Sequence, residues 1–219
     1  MAQFITLNSK VDDAEFKALH AEPQGPRRGG VIVLQEIFGV DKNVRQDVQR
    51  WADMGFEVLA PSLFDRQEPD FVAEHDSQGI ATGLKYMQAN GLDNPIDDIA
   101  TCLDLLRERG PVFVVGYCYG GSLAWLAACR LGDLAAASSY YGSLVHNHAH
   151  ETPRCPTILH FGRQDNSIPV EQAEAVAKAR PECPAYFYEA GHGFNNKDGA
   201  AAHLARRRTL ELFEQNGAA

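Results

Sequence analysis

The sequence predicts an α/β fold whose central sheet is mostly parallel and covered by helices on both faces. Short apolar runs alternate with longer helical stretches along the 219 residues, the sequence form of strand–helix–strand units. Several of those runs are uninterrupted Val, Ile, Leu and Phe, as strands buried on both faces require. No repeat, low-complexity tract or linker-like stretch divides the chain, so one domain is expected over residues 1–219.

The elements follow in order. Gln3–Leu7 and Glu15–His20 alternate polar and apolar and read as an antiparallel edge. Gly30–Gln35 is a buried strand. Asp41 then caps a helix over Lys42–Met54, which Gly55 stops. Glu57–Ala60 is the next strand, and a polar helix is expected over Val72–Asn90. Asn94 is expected to cap another helix, with Pro95 at its first position, where the missing N–H costs nothing. Val112–Val115 is a strand. Ser122–Arg130, apolar nearly all round, is a buried helix. Ala135–Tyr141 and Thr157–Phe161 are strands. A helix opens at Pro169, runs through Ala179 and closes at Pro181. Strand Ala185–Glu189 precedes a last helix from about Gly199 to Gln215.

Composition excludes several function classes. Hydrophobic residues make up 45% and charged residues 22%, which is globular rather than disordered. Twenty Lys and Arg against 29 Asp and Glu give a net charge of −9. Such a chain is a poor nucleic-acid binder, because neutralising phosphates needs clustered cations. Arg206-Arg207-Arg208 is too short for that and reads as a solvated helix face. The start, MAQFITLNSK, has neither the charged nor the apolar region of a signal peptide. No apolar run approaches the roughly 18 residues of a membrane span. A cytoplasmic protein without membrane contact is expected, monomeric or weakly dimeric. The five cysteines are scattered and include no CxxC, which argues against a disulfide framework or a zinc site.

The sharpest local signal is Gly116-Tyr117-Cys118-Tyr119-Gly120-Gly121, entered by an apolar strand and left by a buried helix. This is a nucleophile elbow with Cys in place of Ser. The turn is tight enough that side chains at Gly116 or Gly120 would clash with backbone. A helix N-terminus facing the sulfur favours thiolate. A nucleophile needs a base, and the base needs an orienting group. Asp165 follows strand Thr157–Phe161, and His192 follows strand Ala185–Glu189 in Gly191-His192-Gly193-Phe194. Both fall at the carboxyl edge of the sheet, where catalytic groups of open parallel sheets gather, and in the order nucleophile, acid, histidine. Singly, Asp165 could be a turn residue and His192 a flexible loop residue; their joint placement makes chance a poor explanation. The strand ending in Gln35-Glu36-Ile37-Phe38-Gly39 lies where a second oxyanion donor belongs, so Ile37 and Tyr119 are assigned the two backbone N–H groups. Glu36, beside the elbow, could exchange a proton with Cys118.

Together, Gln35-Glu36-Ile37-Phe38-Gly39, the Cys118 elbow, Gly162-Arg163-Gln164-Asp165 and Gly191-His192-Gly193-Phe194 resemble the dienelactone hydrolase family over essentially the whole chain. The resemblance implies an α/β-hydrolase-type three-layer fold, a Cys118–His192–Asp165 triad, a Glu36 that pairs with the thiol at rest, and no cofactor or metal. It implies a small ester or lactone as substrate; the family's best-known activity opens a dienelactone ring. A non-catalytic binding protein or a cysteine-based redox sensor are the competing readings. The full triad weighs against the first, and the lack of a spaced resolving cysteine against the second.

The sequence also departs from the family. The well-studied members hold a substrate carboxylate with two arginines. Here Asn196 stands where the arginine after the catalytic histidine is expected, and His75 is the only cationic candidate between Arg66 and Lys85. Arg66 is expected to reach the pocket, with Phe38, Phe64, Tyr86 and Phe194 as further lining residues. Losing a charged partner argues for a neutral substrate or a relocated anion site. His146, His148 and His150 would share one side of an extended strand, but their polar surroundings read as a solvated loop. Trp51 and Trp125 read as core.

Overall fold

The computed structural model describes residues 2–218. Its eight strands run β1 (Gln3–Asn8), β2 (Glu15–Ala21), β3 (Gly29–Leu34), β4 (Phe56–Pro61), β5 (Val112–Tyr117), β6 (Ala136–Tyr140), β7 (Thr157–Gly162) and β8 (Ala185–Tyr188). Each lies within a residue or two of its expected span. They form one sheet in the order β1-β2-β4-β3-β5-β6-β7-β8. β1 and β2 pair antiparallel at one edge, β2 is antiparallel to β4, and every pairing from β4 through β8 is parallel. The alternating pattern of the first two strands thus marks the antiparallel edge. The buried runs Gly29–Leu34, Phe56–Pro61 and Val112–Tyr117 lie in the parallel part.

The helices are α1 (Lys42–Asp53), α2 (Ser77–Asn90), α3 (Asp93–Arg107), α4 (Tyr119–Arg130), α5 (Val170–Ala179) and α6 (Ala200–Gln215). α1 and α6 meet through Trp51 and Phe213, whose rings are 5.2 Å apart. Phe213 also stacks on Phe113 of β5 at 4.4 Å, which ties this layer to the middle of the sheet. α3 and α4 pack against each other and on β3 and β5. Trp125 of α4 is fully buried, as expected of a helix with no polar face.

Three helix starts differ from expectation. The helix expected from Val72 begins at Ser77, because the Asp76 carboxylate accepts the Gly79 N–H at 2.8 Å and caps it there. Residues 71–73 run extended instead: Val72 bridges to Gly39, and the Ala73 N–H donates to the Phe38 carbonyl. α3 begins at Asp93, so Asn94 is not its cap, and Pro95 sits within the first turn, where no intrahelical donor is required. α4 begins at Tyr119 rather than Ser122, which makes Cys118 itself the cap residue. Asp41 caps α1 as expected, accepting the N–H groups of Asn43 and Val44. The segment with three histidines folds as a 3₁₀ turn over Val145–His148 with Val145 buried, and the three gather no metal-ligand cluster among the described residues. Among the described residues, no helix is long and apolar enough to cross a membrane.

Candidate active site

Four parallel strands deliver four polar side chains to one edge of the sheet. β3 leads into Glu36, β5 into Cys118, β7 into Asp165 and β8 into His192. Glu36, Cys118 and His192 line one cleft of about 530 Å³.

Cys118 sits at φ 54°, ψ −111°, between β5 and α4. Such a conformation is strained for a residue with a Cβ and persists only where the surroundings enforce it. Here the enforcement is visible. The Cys118 N–H donates to Tyr140 O at 3.0 Å, Gly120 N–H donates to Gln35 O at 3.0 Å, and Ser122 N–H donates to Cys118 O at 3.0 Å. A Cβ on Gly116 would run into the Gly120 carbonyl, and one on Gly120 into the carbonyls of Leu34 and Gln35. Both glycines are therefore required by close backbone approach. The elbow brings the N-terminus of α4 under the sulfur. The Tyr119 N–H is one of the first amides of that helix, which have no intrahelical acceptor. Neither it nor the Ile37 N–H donates to protein among the described residues.

Asp165 is held rigidly. Its Oδ1 accepts the N–H groups of Ser167 (2.7 Å) and Ile168 (3.1 Å). Its Oδ2 lies 2.8 Å from Nδ1 of His192. The acid's side chain is 1% exposed and the imidazole 27%. Burial pulls the His192 pKa down, but hydrogen bonds to Asp165 and Cys118, and the charge on both, overcome this and lift it to about 10. The Asp165 carboxylate thus favours the protonated imidazole and fixes its Nδ1–H.

Glu36 is buried, and desolvation pushes its carboxyl up from the ordinary range, opposed mainly by a hydrogen bond from Asn196. Asn196 Nδ2 donates to Glu36 Oε2 at 2.9 Å. The hydrogen bond to Glu36 thus comes from the position where the family resemblance led to an arginine being expected. The resting Glu36–Cys118 pair implied by the resemblance is not among the hydrogen bonds formed here; Glu36 is bonded to Asn196.

The expected lining residues divide. Phe38 and Asn196 line the cleft. Arg66 does not: its guanidinium forks onto Asp98 (2.5 and 2.9 Å) and Asp12 (3.0 Å twice). Asp98 is fully buried, and this cation compensates it, so the side chain is held away from substrate. Phe64 and Tyr86 lie behind the wall. Phe64 stacks on Tyr119 at 5.7 Å, and Tyr86 packs on Phe64 and Phe71 while its hydroxyl bonds Glu68. Phe194 is buried against Tyr140, Tyr141 and Tyr188. An aromatic near a motif packs the supporting layer as readily as it faces the cleft, and sequence spacing does not separate the two.

Sequence reasoning missed other residues. Ile80, Leu84 and Met87 of α2 form an apolar wall, and Lys197 stands at the rim beside Asn196. His75 stacks on Phe38 (3.8 Å between ring centres) and pairs with Asp41 at 2.7 Å. The buried Tyr141, at φ 37°, lays its ring 4.9 Å from that of His192. The i, i+4, i+7 spacing of the α2 trio was the available signal; nothing local marked Lys197 or Tyr141, whereas His75, the cationic candidate between Arg66 and Lys85, does line the cleft.

Known proteins resemble this chain over nearly its whole length. The model of the dienelactone hydrolase family matches residues 16–217. The chain belongs to that family. The carboxymethylenebutenolidase of Pseudomonas putida is 30% identical over 218 residues, covering 92% of each chain. Carboxymethylenebutenolidase 1 of Cupriavidus pinatubonensis is 30% identical over 219 residues, covering 90% of this chain and 91% of its own. A crystal structure of a dienelactone hydrolase candidate from Klebsiella pneumoniae superposes with a TM-score of 0.83 at 26% identity, over 98% of this chain and 99% of the other. This member of the dienelactone hydrolase family is an enzyme of the carboxylic ester and lactone hydrolase class with an α/β-hydrolase fold, and its substrate is a small molecule.

Proposed function

We propose that this enzyme hydrolyses a neutral lactone, enol ester or small carboxylic ester through a thioester on Cys118. The reading rests chiefly on one observation: the His192–Asp165 hydrogen bond of 2.8 Å in the cleft that holds the strained Cys118. Glu36 takes the thiol proton of Cys118, the sulfur attacks the carbonyl carbon, and the carbonyl oxygen takes the electron pair of the broken π bond; the proton returns to the sulfur when the cycle closes. The N–H groups of Ile37 and Tyr119 receive that oxyanion, a contribution worth about 3–4 kcal/mol per donor in comparable sites. The intermediate collapses, and the protonated His192 gives its proton to the departing oxygen; in a lactone this opens the ring. Water then attacks the thioester, His192 takes the water's proton, and the acid leaves as Cys118 is released. Asp165 keeps the imidazole in one tautomer throughout. Glu36, held by Asn196 and raised by burial, is the group placed to exchange a proton with the resting thiol. With Arg66 engaged by Asp12 and Asp98 and Asn196 engaged by Glu36, neither presents a guanidinium to a substrate carboxylate, which favours a neutral substrate.

The test is hydrolysis of p-nitrophenyl acetate with and without iodoacetamide, beside the Cys118→Ala variant. Both treatments should abolish turnover while the fold is retained. A Cys118→Ala protein that keeps most of its activity overturns the mechanism.

A further inference from the structure

The cleft walls are unequal. Ile80, Leu84 and Met87 recur at i, i+4 and i+7, so they share one face of α2, and all three line the cleft. Ile80 and Leu84 remain 43% and 42% exposed, which is unusual for large aliphatic side chains of a folded domain. Among the described residues nothing covers them, and α2 is seated closely on the cleft. A Cβ on Gly83 would run into the Ile37 carbonyl, so the helix backbone rests directly on the loop that carries the Ile37 N–H. Ile37 and Phe38 continue the apolar wall from that loop toward Cys118. The titratable lining residues other than Cys118 and Lys197 are engaged elsewhere: His75 with Asp41, His192 with Asp165, and Glu36 with Asn196. Among the described lining residues, Lys197 is the one cation without an ion pair, and it lies at the exposed rim next to Asn196.

We infer that the Ile80–Leu84–Met87 face of α2, with Ile37 and Phe38, is a subsite for an uncharged hydrocarbon group of the ester, and that it sets substrate preference by chain length. This deepens the proposed reading and rests on it. Hydrocarbon is the one chemistry this wall rewards: burying a methylene against it removes apolar surface from water on both sides, whereas a carboxylate there would lose hydration without gaining a partner. A fully buried methylene gains about fourfold in affinity; at a wall left half open, about twofold per methylene is expected, hence more than tenfold from acetyl to hexanoyl.

The experiment measures kcat/KM over two series, p-nitrophenyl esters from acetate to octanoate and acetate esters of alcohols of increasing length, in the enzyme and in Ile80→Ser and Leu84→Ser. A rise with length in either series, reduced several-fold in its slope by either serine variant, is the expected result. A preference flat with length in both series, or a slope unchanged in both variants, overturns the subsite. So does a carboxylate-ended ester that outpaces its neutral counterpart of equal length. Both positions are exposed, and matched thermal midpoints show that the variants fold. Hydrolysis that iodoacetamide abolishes but that is blind to length defeats the subsite alone. Hydrolysis that iodoacetamide leaves intact defeats the Cys118 mechanism instead.

Discussion

Replacing Asp165 by Asn removes the charge that orients His192 and leaves nearly the same shape. The asparagine oxygen can still accept the N–H groups of Ser167 and Ile168. Its amide then faces Nδ1 of His192 as a donor, which favours the tautomer with the proton on the other nitrogen and misdirects the base. The magnitude follows from the imidazole. Raising it from 6.5 to about 10 corresponds to about 5 kcal/mol in favour of the cation, at about 1.4 kcal/mol for each factor of ten. Asp165 and Cys118 share that effect against an opposing burial cost. Assigning half to the carboxylate gives about 2–3 kcal/mol, so kcat/KM should fall by about thirty- to a hundred-and-fifty-fold. The pH profile should change as well. Without the carboxylate, burial dominates and His192 loses its proton at lower pH, so the alkaline limb of kcat/KM moves toward neutrality. The assay is hydrolysis of p-nitrophenyl acetate from neutral to alkaline pH, with the spontaneous rate subtracted. An alkaline limb that stays in place with activity within a few-fold of the parent enzyme would refute this role for Asp165.

Other perturbations have distinct signatures. Glu36→Gln keeps the bond partner for Asn196 in reach but removes the proton acceptor; turnover should fall and the pH dependence of Cys118 alkylation should shift, both measurable with iodoacetamide kinetics. Arg66→Ala strands the fully buried Asp98 carboxylate and should cost about 3–5 kcal/mol of stability in denaturant unfolding, while KM for neutral esters stays unchanged. His160, fully buried between Tyr188 and Thr209, is pushed down to about 3 by desolvation, with the Arg208 charge adding to it. The unfolded chain takes up that proton below about pH 6.5 and the folded chain does not, so stability falls as the pH drops from there toward 3, by about 2 kcal/mol between pH 7 and pH 5. His160→Gln should flatten that part of the thermal-midpoint profile.

The sheet was legible because its signal is simple. Continuous apolar runs fix the central strands, and Gly116, Gly120 and the residues after β7 and β8 mark where Cys118, Asp165 and His192 emerge. Side-chain destinations were less legible. Arg66 carries no local mark of its partners, which lie 54 residues before it at Asp12 and 32 after it at Asp98. Phe64, Tyr86 and Phe194 sit close in sequence to cleft residues, yet their rings turn into the packing behind the wall. α2 starts later than the sequence suggests because Asp76 caps the helix and the residues before it are spent on an extended bridge to Gly39. Asn196 stood out in the sequence as a departure from the family's arginine, but its bond to Glu36 depends on the turn after β8, which reaches along the carboxyl edge of the sheet to the residues that follow β3.

The central claim is a covalent intermediate on one sulfur. Rapid mixing with p-nitrophenyl acetate, acid quench and peptide mass spectrometry reads it directly. The account predicts an initial burst of p-nitrophenol and an acetyl group on the peptide that carries Cys118, absent from Cys118→Ala. Turnover with no acyl group on Cys118 at any quench time, or with the acyl group on another residue, would contradict it.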